Sequence, residues 1–161
     1  MDVSMVRKQV EGFALQLAIR YGDDLWEARL AAAGENFARL QRSEKTVPEE
    51  MWESRHRAFH SALIEACQSP WLLHLHSQLT DQFDRYRRLS AKSRLPIGPR
   101  WLSHKGIMQA AIARKADKAV HLLEEHIGEA TRLIVAGFLA SDERNAPGRQ
   151  RKPAPAQRAA V

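Results

Sequence analysis

Four of the seven histidines occupy positions from which their side chains can converge. His56 and His60 are four residues apart, which on an α-helix sets their imidazoles about 40° apart and one turn along the axis. They fall in the stripe Trp52, His56, Phe59, His60, Leu63, Cys67, so both rings are expected to face the core. His104 lies in the stripe Trp101, His104, Met108, Ala111, and His126 in the stripe Ala119, Leu123, His126, Ala130, Leu133, Gly137. A single histidine on an apolar face is commonly a hydrogen-bonded core residue. Four inward imidazoles in one small domain are harder to accommodate, because burying unpaired polar rings is costly. A shared metal ion, or an anion among them, would satisfy all four, and an i, i+4 pair is a standard way to take two ligands from one helix. His74 and His76 diverge by about 200°, and His121 lies about 140° round the helix from His126. These three are expected to stay outside the site.

Other chemistry is sparse. Arg7 lies beside the apolar stripe of the first helix, where it can pair with Glu11 or clamp a ligand carboxylate in a bidentate manner. Cys67 is the lone cysteine, which excludes an internal disulfide and a cysteine-rich zinc module. Ser61 and Ser103 lack the Gly-x-Ser-x-Gly setting of a serine nucleophile, and no phosphate loop or dinucleotide fingerprint occurs. Three histidines with an open position also form a catalytic zinc pattern, so a metal-dependent enzyme on a helical bundle is the second reading. A general base is missing for it: Glu53, the nearest acid, is about 60° off His56.

The elements that must position these groups are helical. Apolar residues recur at three- and four-residue spacing nearly throughout, without the alternation of half-buried strands. Six helices are predicted. The first covers residues 3–21, with Val6, Val10, Phe13, Leu17 and Arg20/Tyr21 as its stripe and Gly22 as its stop. The second covers 24–42, opened by Asp23 and Asp24. The third follows Thr46-Val47-Pro48-Glu49 and runs to about residue 68. The fourth, opened by Ser69-Pro70, runs to about residue 93 with Arg85, Arg87 and Arg88 on its outer face. The fifth covers 100–114 and the sixth 117–139.

Composition bounds the rest. The chain has 161 residues, 44% hydrophobic and 27% charged, enough for one domain with a substantial core. Residues 1–140 are expected to form that domain, and 141–161 a basic, disordered tail. Half of the net charge of +6 falls in this tail, where Arg144, Arg149, Arg151, Lys152 and Arg158 outnumber Asp142 and Glu143. The basic balance therefore says little about nucleic acid, and the tail lacks the interleaved aromatics of a stacking surface. No apolar run approaches the roughly 20 residues of a membrane helix, and the first twenty residues are too polar for a signal peptide. A cytoplasmic protein is the expectation.

Three segments resemble a known family. Arg7-x-x-Val10-Glu11-x-x-Ala14-x-x-Leu17-Ala18 looks like the opening helix of the FadR-type C-terminal effector domain (FCD) of GntR-family transcription regulators. His56-Arg57-Ala58-Phe59-His60-Ser61-Ala62-Leu63 resembles its D-x-x-F-H-x-x-L motif. His104-x-x-Ile107-x-x-Ala110-Ala111-Ile112, with Asp117, Ala119 and His126, resembles its closing pattern. The resemblance implies an all-α antiparallel bundle that binds a small effector, commonly a carboxylic acid, acts as a homodimer, and is not an enzyme. It further implies a divalent metal held by an aspartate and three histidines, here His60, His104 and His126, with His56 in the aspartate position. Exchanging a hard oxygen for nitrogen favours zinc or nickel over manganese or magnesium, and leaves a site one unit more positive, suited to an anionic effector. Arg7 is the expected partner of the effector carboxylate. Such regulators read DNA through an N-terminal winged helix-turn-helix. Nothing within residues 1–161 resembles one, so DNA binding is expected only through a domain outside this chain.

Overall fold

The computed structural model describes residues 2–41, 47–91 and 101–145. In chain order these form α1 (Asp2–Tyr21), α2 (Asp24–Gln41), α3 (Glu49–Ile64), a 3-10 turn (Glu65–Cys67), α4 (Pro70–Ala91), α5 (Trp101–Ile112) and α6 (Ala116–Asn145). The predicted all-α fold is observed, with six helices and no strand among the described residues. The α1/α6, α1/α4 and α2/α3 pairs run antiparallel. Ser4 meets Thr131 across α1/α6 while Gly12 abuts Val120. Arg7 meets Phe83 across α1/α4 while Glu11 meets His76. Trp26 meets Ala62 across α2/α3 while Phe37 meets Trp52.

Local signals set most boundaries. Asp23 Oδ1 accepts the Trp26 amide at 2.8 Å, the N-cap that starts α2. Gly22 is required before it, because a Cβ there would lie 2.2 Å from the Trp26 ring and 2.7 Å from the Ala18 carbonyl oxygen. Ser69 Oγ accepts the Leu72 amide at 3.3 Å and starts α4. The third helix ends earlier than its periodicity suggests. It tightens at Glu65 into the 3-10 turn, and Gln68 takes a left-handed φ of 56°, which ends the helix as a left-handed residue does. The α6 helix continues to Asn145, six residues past its predicted end. The Thr46 cap, the proline-glycine break at 96–99 and the tail from residue 146 lie outside the described residues.

The core joins Leu15 of α1, Trp26, Leu30 and Phe37 of α2, Phe59, Leu63 and Ile64 of α3, Ile107 of α5, and Leu123 and Ile127 of α6. Each such side chain contributes about 1.5–3 kcal/mol on burial. Trp26 satisfies its indole N–H on the Ala62 carbonyl at 2.9 Å. Arg114, just after α5 with φ 58°, donates to the Ile19 carbonyl at 2.6 Å and to Glu27 at 2.5 Å, tying three helix ends together.

The first helix turns the opposite way from its predicted stripe. Its buried face is Ser4, Arg7, Glu11, Ala14, Leu15, Ala18 and Ile19, whereas Val6 and Phe13 are 37% and 54% exposed. The fourth helix departs similarly, since its buried residues include His76, Thr80, Phe83, Asp84, Arg87 and Ser90, only one of them apolar. Arg87, expected outside, is therefore inside. Arg85 and Arg88 are exposed as expected. Both helices thus hide polar side chains, which calls for partners inside the bundle.

Candidate metal centre

Three helices bring the four histidines together. His56 and His60 come from α3, His104 from α5 and His126 from α6, and one nitrogen from each lies within 4.8 Å of all the others. His56 Nε2 and His60 Nε2 are 3.2 Å apart, and the His104 and His126 ring centroids are 4.2 Å apart. His60, His104 and His126 are buried, His104 completely, and His56 is half-buried. The helical spacing that placed all four on inward faces is realised.

The surroundings fix the rings. Phe37 of α2 lies edge-on to His104, with centroids 4.9 Å apart, and Trp52 stacks on His56 at 4.6 Å and 15°. The Ser103 hydroxyl pairs with His126 Nδ1 at 3.2 Å. This is how second partners orient metal-binding imidazoles.

The donor set fits a divalent cation. Tetrahedral zinc–nitrogen bonds of about 2.0–2.1 Å require nitrogens roughly 3.4 Å apart, so the cluster needs only modest contraction. Metal ligation requires unprotonated imidazoles. Burial, then the neighbouring imidazoles of His104 and His126, hold His56 well below the usual histidine range. Burial, then His56, His104 and His126, do the same for His60. Four neutral nitrogens without a carboxylate would leave the charge of a bound ion uncompensated within its own ligand set. His60 Nδ1 is buried without a hydrogen-bond partner.

Beside the cluster runs a polar seam between α1 and α4. Arg7 Nε donates to Glu11 Oε1 at 2.6 Å and Nη2 to Oε2 at 3.3 Å, and the guanidinium lies 4.4 Å from the Phe83 ring centroid. Arg7 is thus inside, as a ligand clamp must be, but Glu11 already holds it. Burial alone would raise the Glu11 carboxyl; Arg7, and to a lesser degree His76, outweigh this and bring it to about 2. His76 Nδ1 sits 3.2 Å from Glu11 Oε1, close but not aligned as a hydrogen bond. Arg87 donates Nη2 to Glu53, lies 3.5 Å from Asp84 through Nε and 5.1 Å from the Trp52 ring, and keeps a buried Nη1 without a partner.

His76 and Arg87 are the seam residues that sequence reasoning left aside. Their signal was the run His76, Thr80, Asp84, Arg87, a helical face too polar to be buried without a purpose. His74 and His121 are exposed, as expected. Glu53 is taken by Arg87 and Arg88, so the acid nearest to His56 in sequence is committed to arginines. A separate cavity of about 430 Å³ at the α1/α4/α6 junction, lined by Ser4, Phe83, Tyr86 and Thr131 among others, includes none of the four histidines. No helix among the described residues is long and apolar enough to cross a membrane.

Comparison with known proteins places the chain in a family. The FCD domain family matches residues 2–129. The uncharacterized HTH-type transcriptional regulator BphR of Paraburkholderia xenovorans LB400 is 34% identical over 129 residues, covering 78% of this chain and 53% of that protein. The HTH-type transcriptional repressor GlaR of Escherichia coli K12 is 31% identical over 134 residues, covering 79% of this chain and 60% of that protein. The chain therefore spans little more than half the length of these relatives. A solved GntR-family regulator from Pseudomonas syringae pv. tomato DC3000 shares the fold at a TM-score of 0.77 over 90% of this chain and 59% of its own, with 19% identity.

Proposed function

Because this chain belongs to the FCD domain family, we propose that it is the effector-sensing half of a GntR-type transcription regulator, with a divalent metal on His56, His60, His104 and His126. The observation that carries this reading is the meeting of four imidazole nitrogens within 4.8 Å. An all-nitrogen donor set favours zinc or nickel. The metal would supply a positive centre for a small carboxylate effector, and Arg7 would take a second oxygen if Glu11 shares it. Binding there would shift the packing of α1 on α4, a change that a longer regulator can transmit to its helix-turn-helix part, through which it would contact DNA. The relatives' names as transcriptional regulators support this reading over a hydrolytic enzyme.

Dimerisation belongs to the same reading. Val6 and Phe13 on α1, and Trp71, Leu75 and Tyr86 on α4, leave apolar side chains in solvent, as surfaces that pair with another chain do. The sensor experiment is metal analysis of the purified protein beside His60→Ala and His126→Ala, with thermal shifts recorded on adding dicarboxylates. Stoichiometric metal in the wild type, lost in both variants together with the acid response, is expected. Equal, negligible metal and identical responses in all three would overturn the reading.

A further inference from the structure

A second concave site lies between α3 and α4, lined in part by Arg57 and Ser61, each one residue after a histidine of the cluster. It is a cleft of about 250 Å³ lined by Ser61, Leu73, His76, Ser77 and Thr80, with Arg57 and Glu65 also on its wall. Its charges are already matched. Arg57 donates one Nη to Asp81 and the other to Asp84 at 2.6 Å, and Glu65 accepts from Arg29. His76 turns Nδ1 to Glu11, which leaves Nε2 as its remaining ring nitrogen. Three hydroxyls remain, from Ser61, Ser77 and Thr80. The Thr80 hydroxyl is the informative one: the residue is 6% exposed, and its Oγ1 has no hydrogen-bond partner. Buried hydroxyls are rarely left unpaired.

We propose that this cleft binds a short polyhydroxylated chain, read by the Thr80 hydroxyl with Ser61, Ser77 and His76. Matched charges disfavour an ionic group there, and a wall that combines the Ser61, Ser77 and Thr80 hydroxyls with apolar surface, Leu73 its one large apolar side chain, suits a ligand carrying both hydroxyls and carbon. The volume falls below the roughly 300–1,000 Å³ of drug-sized sites and suits a chain of about four to six carbons. Such a chain has two sources, a free neutral polyol or the hydroxylated tail of an acid. The geometry of the cleft carries the inference without any metal.

Three four-carbon probes separate the outcomes: erythritol, erythronate and succinate, titrated by calorimetry and by amide chemical shifts against wild type, Thr80→Val and Ser77→Ala. Thr80→Val keeps the side chain's shape and removes only the hydroxyl; Ser77 is exposed, so its variant reports even if the first one folds poorly. At least one hydroxylated probe should saturate more tightly than succinate and move the Thr80 and Ser77 amides, with binding weakened about tenfold in Thr80→Val. Saturation by erythritol identifies the free polyol. Saturation by erythronate alone, lost in His104→Ala, identifies the tail of an acid held at the histidines. Binding of erythritol without any response to either acid would count against the acid-sensor reading and leave this one standing. If neither hydroxylated probe outbinds succinate, or if both variants bind as wild type does, the cleft holds only water and the inference falls.

Discussion

The Ser103 hydroxyl lies 3.2 Å from His126 Nδ1, and both residues reach the histidine cluster from antiparallel helices, α5 and α6. The contact orients one of the four imidazoles from outside the donor set. Removing it should loosen the ring while leaving the donor set complete. Ser103→Ala is therefore expected to weaken metal binding by about 10- to 100-fold with an unchanged circular dichroism spectrum, as read by competition with a chromogenic chelator. Metal affinity equal to wild type would show that packing alone holds His126.

The buried histidines and Glu11 act in different pH windows. In the metal-free domain His56 and His60 titrate well below their usual 6.5, so the unfolded chain binds more protons there. Their stabilising share is complete above pH 6.5 and declines as pH falls below it. Glu11 is brought from 4.5 to about 2, so its share persists down to about pH 4.5 and is lost between there and 2, on the order of 3 kcal/mol in all. Melting temperature measured from pH 8 to 3 should fall in two stages, and Glu11→Gln should abolish the lower one. A single stage, unaffected by that substitution, would contradict the assignment.

Arg7 and Glu11 should behave as one unit. Arg7→Met leaves a buried carboxylate with only His76 beside it and is expected to cost about 3–5 kcal/mol. Adding Glu11→Leu removes the orphaned charge, so the double variant should recover most of that loss in urea unfolding. Additive losses would mean that the pair contributes through packing and not through charge.

Two glycines should respond with opposite signs. A Cβ at Gly22 collides with the Trp26 ring at 2.2 Å, whereas at Gly106 its nearest neighbour is Leu122 Cδ1 at 3.7 Å. Gly22→Ala is expected to lose about 1–3 kcal/mol. Gly106→Ala, inside α5, should gain up to about 1 kcal/mol from helix propensity. Paired thermal melts check both.

The outward face of α1 predicts association. Phe13, 54% exposed, has no role in the bundle that its exposure would permit, so Phe13→Asp should leave the fold intact and shift the protein toward monomer in sedimentation velocity. A monomeric wild type would remove the basis for this expectation.

The residue string alone determined which side chains share a helical face. Repeats of three and four made six helices legible, and the inward placement of His56, His60, His104 and His126 followed from the same spacing, because a core histidine keeps the register of its apolar neighbours. Periodicity does not say which way a face turns. In α1 the apolar set of Val6, Phe13 and Leu17 competes with the set of Ser4, Arg7 and Glu11. The second set won because its charges neutralise each other beside His76 and Phe83, partners that only the docking of α4 supplies. Arg87 became an interior residue for the same reason, once Glu53 of α3 and Asp84 were there to receive it. Charge pairing between distant segments has no local signature, so the polar seam and the cleft beside it were decided by the tertiary structure.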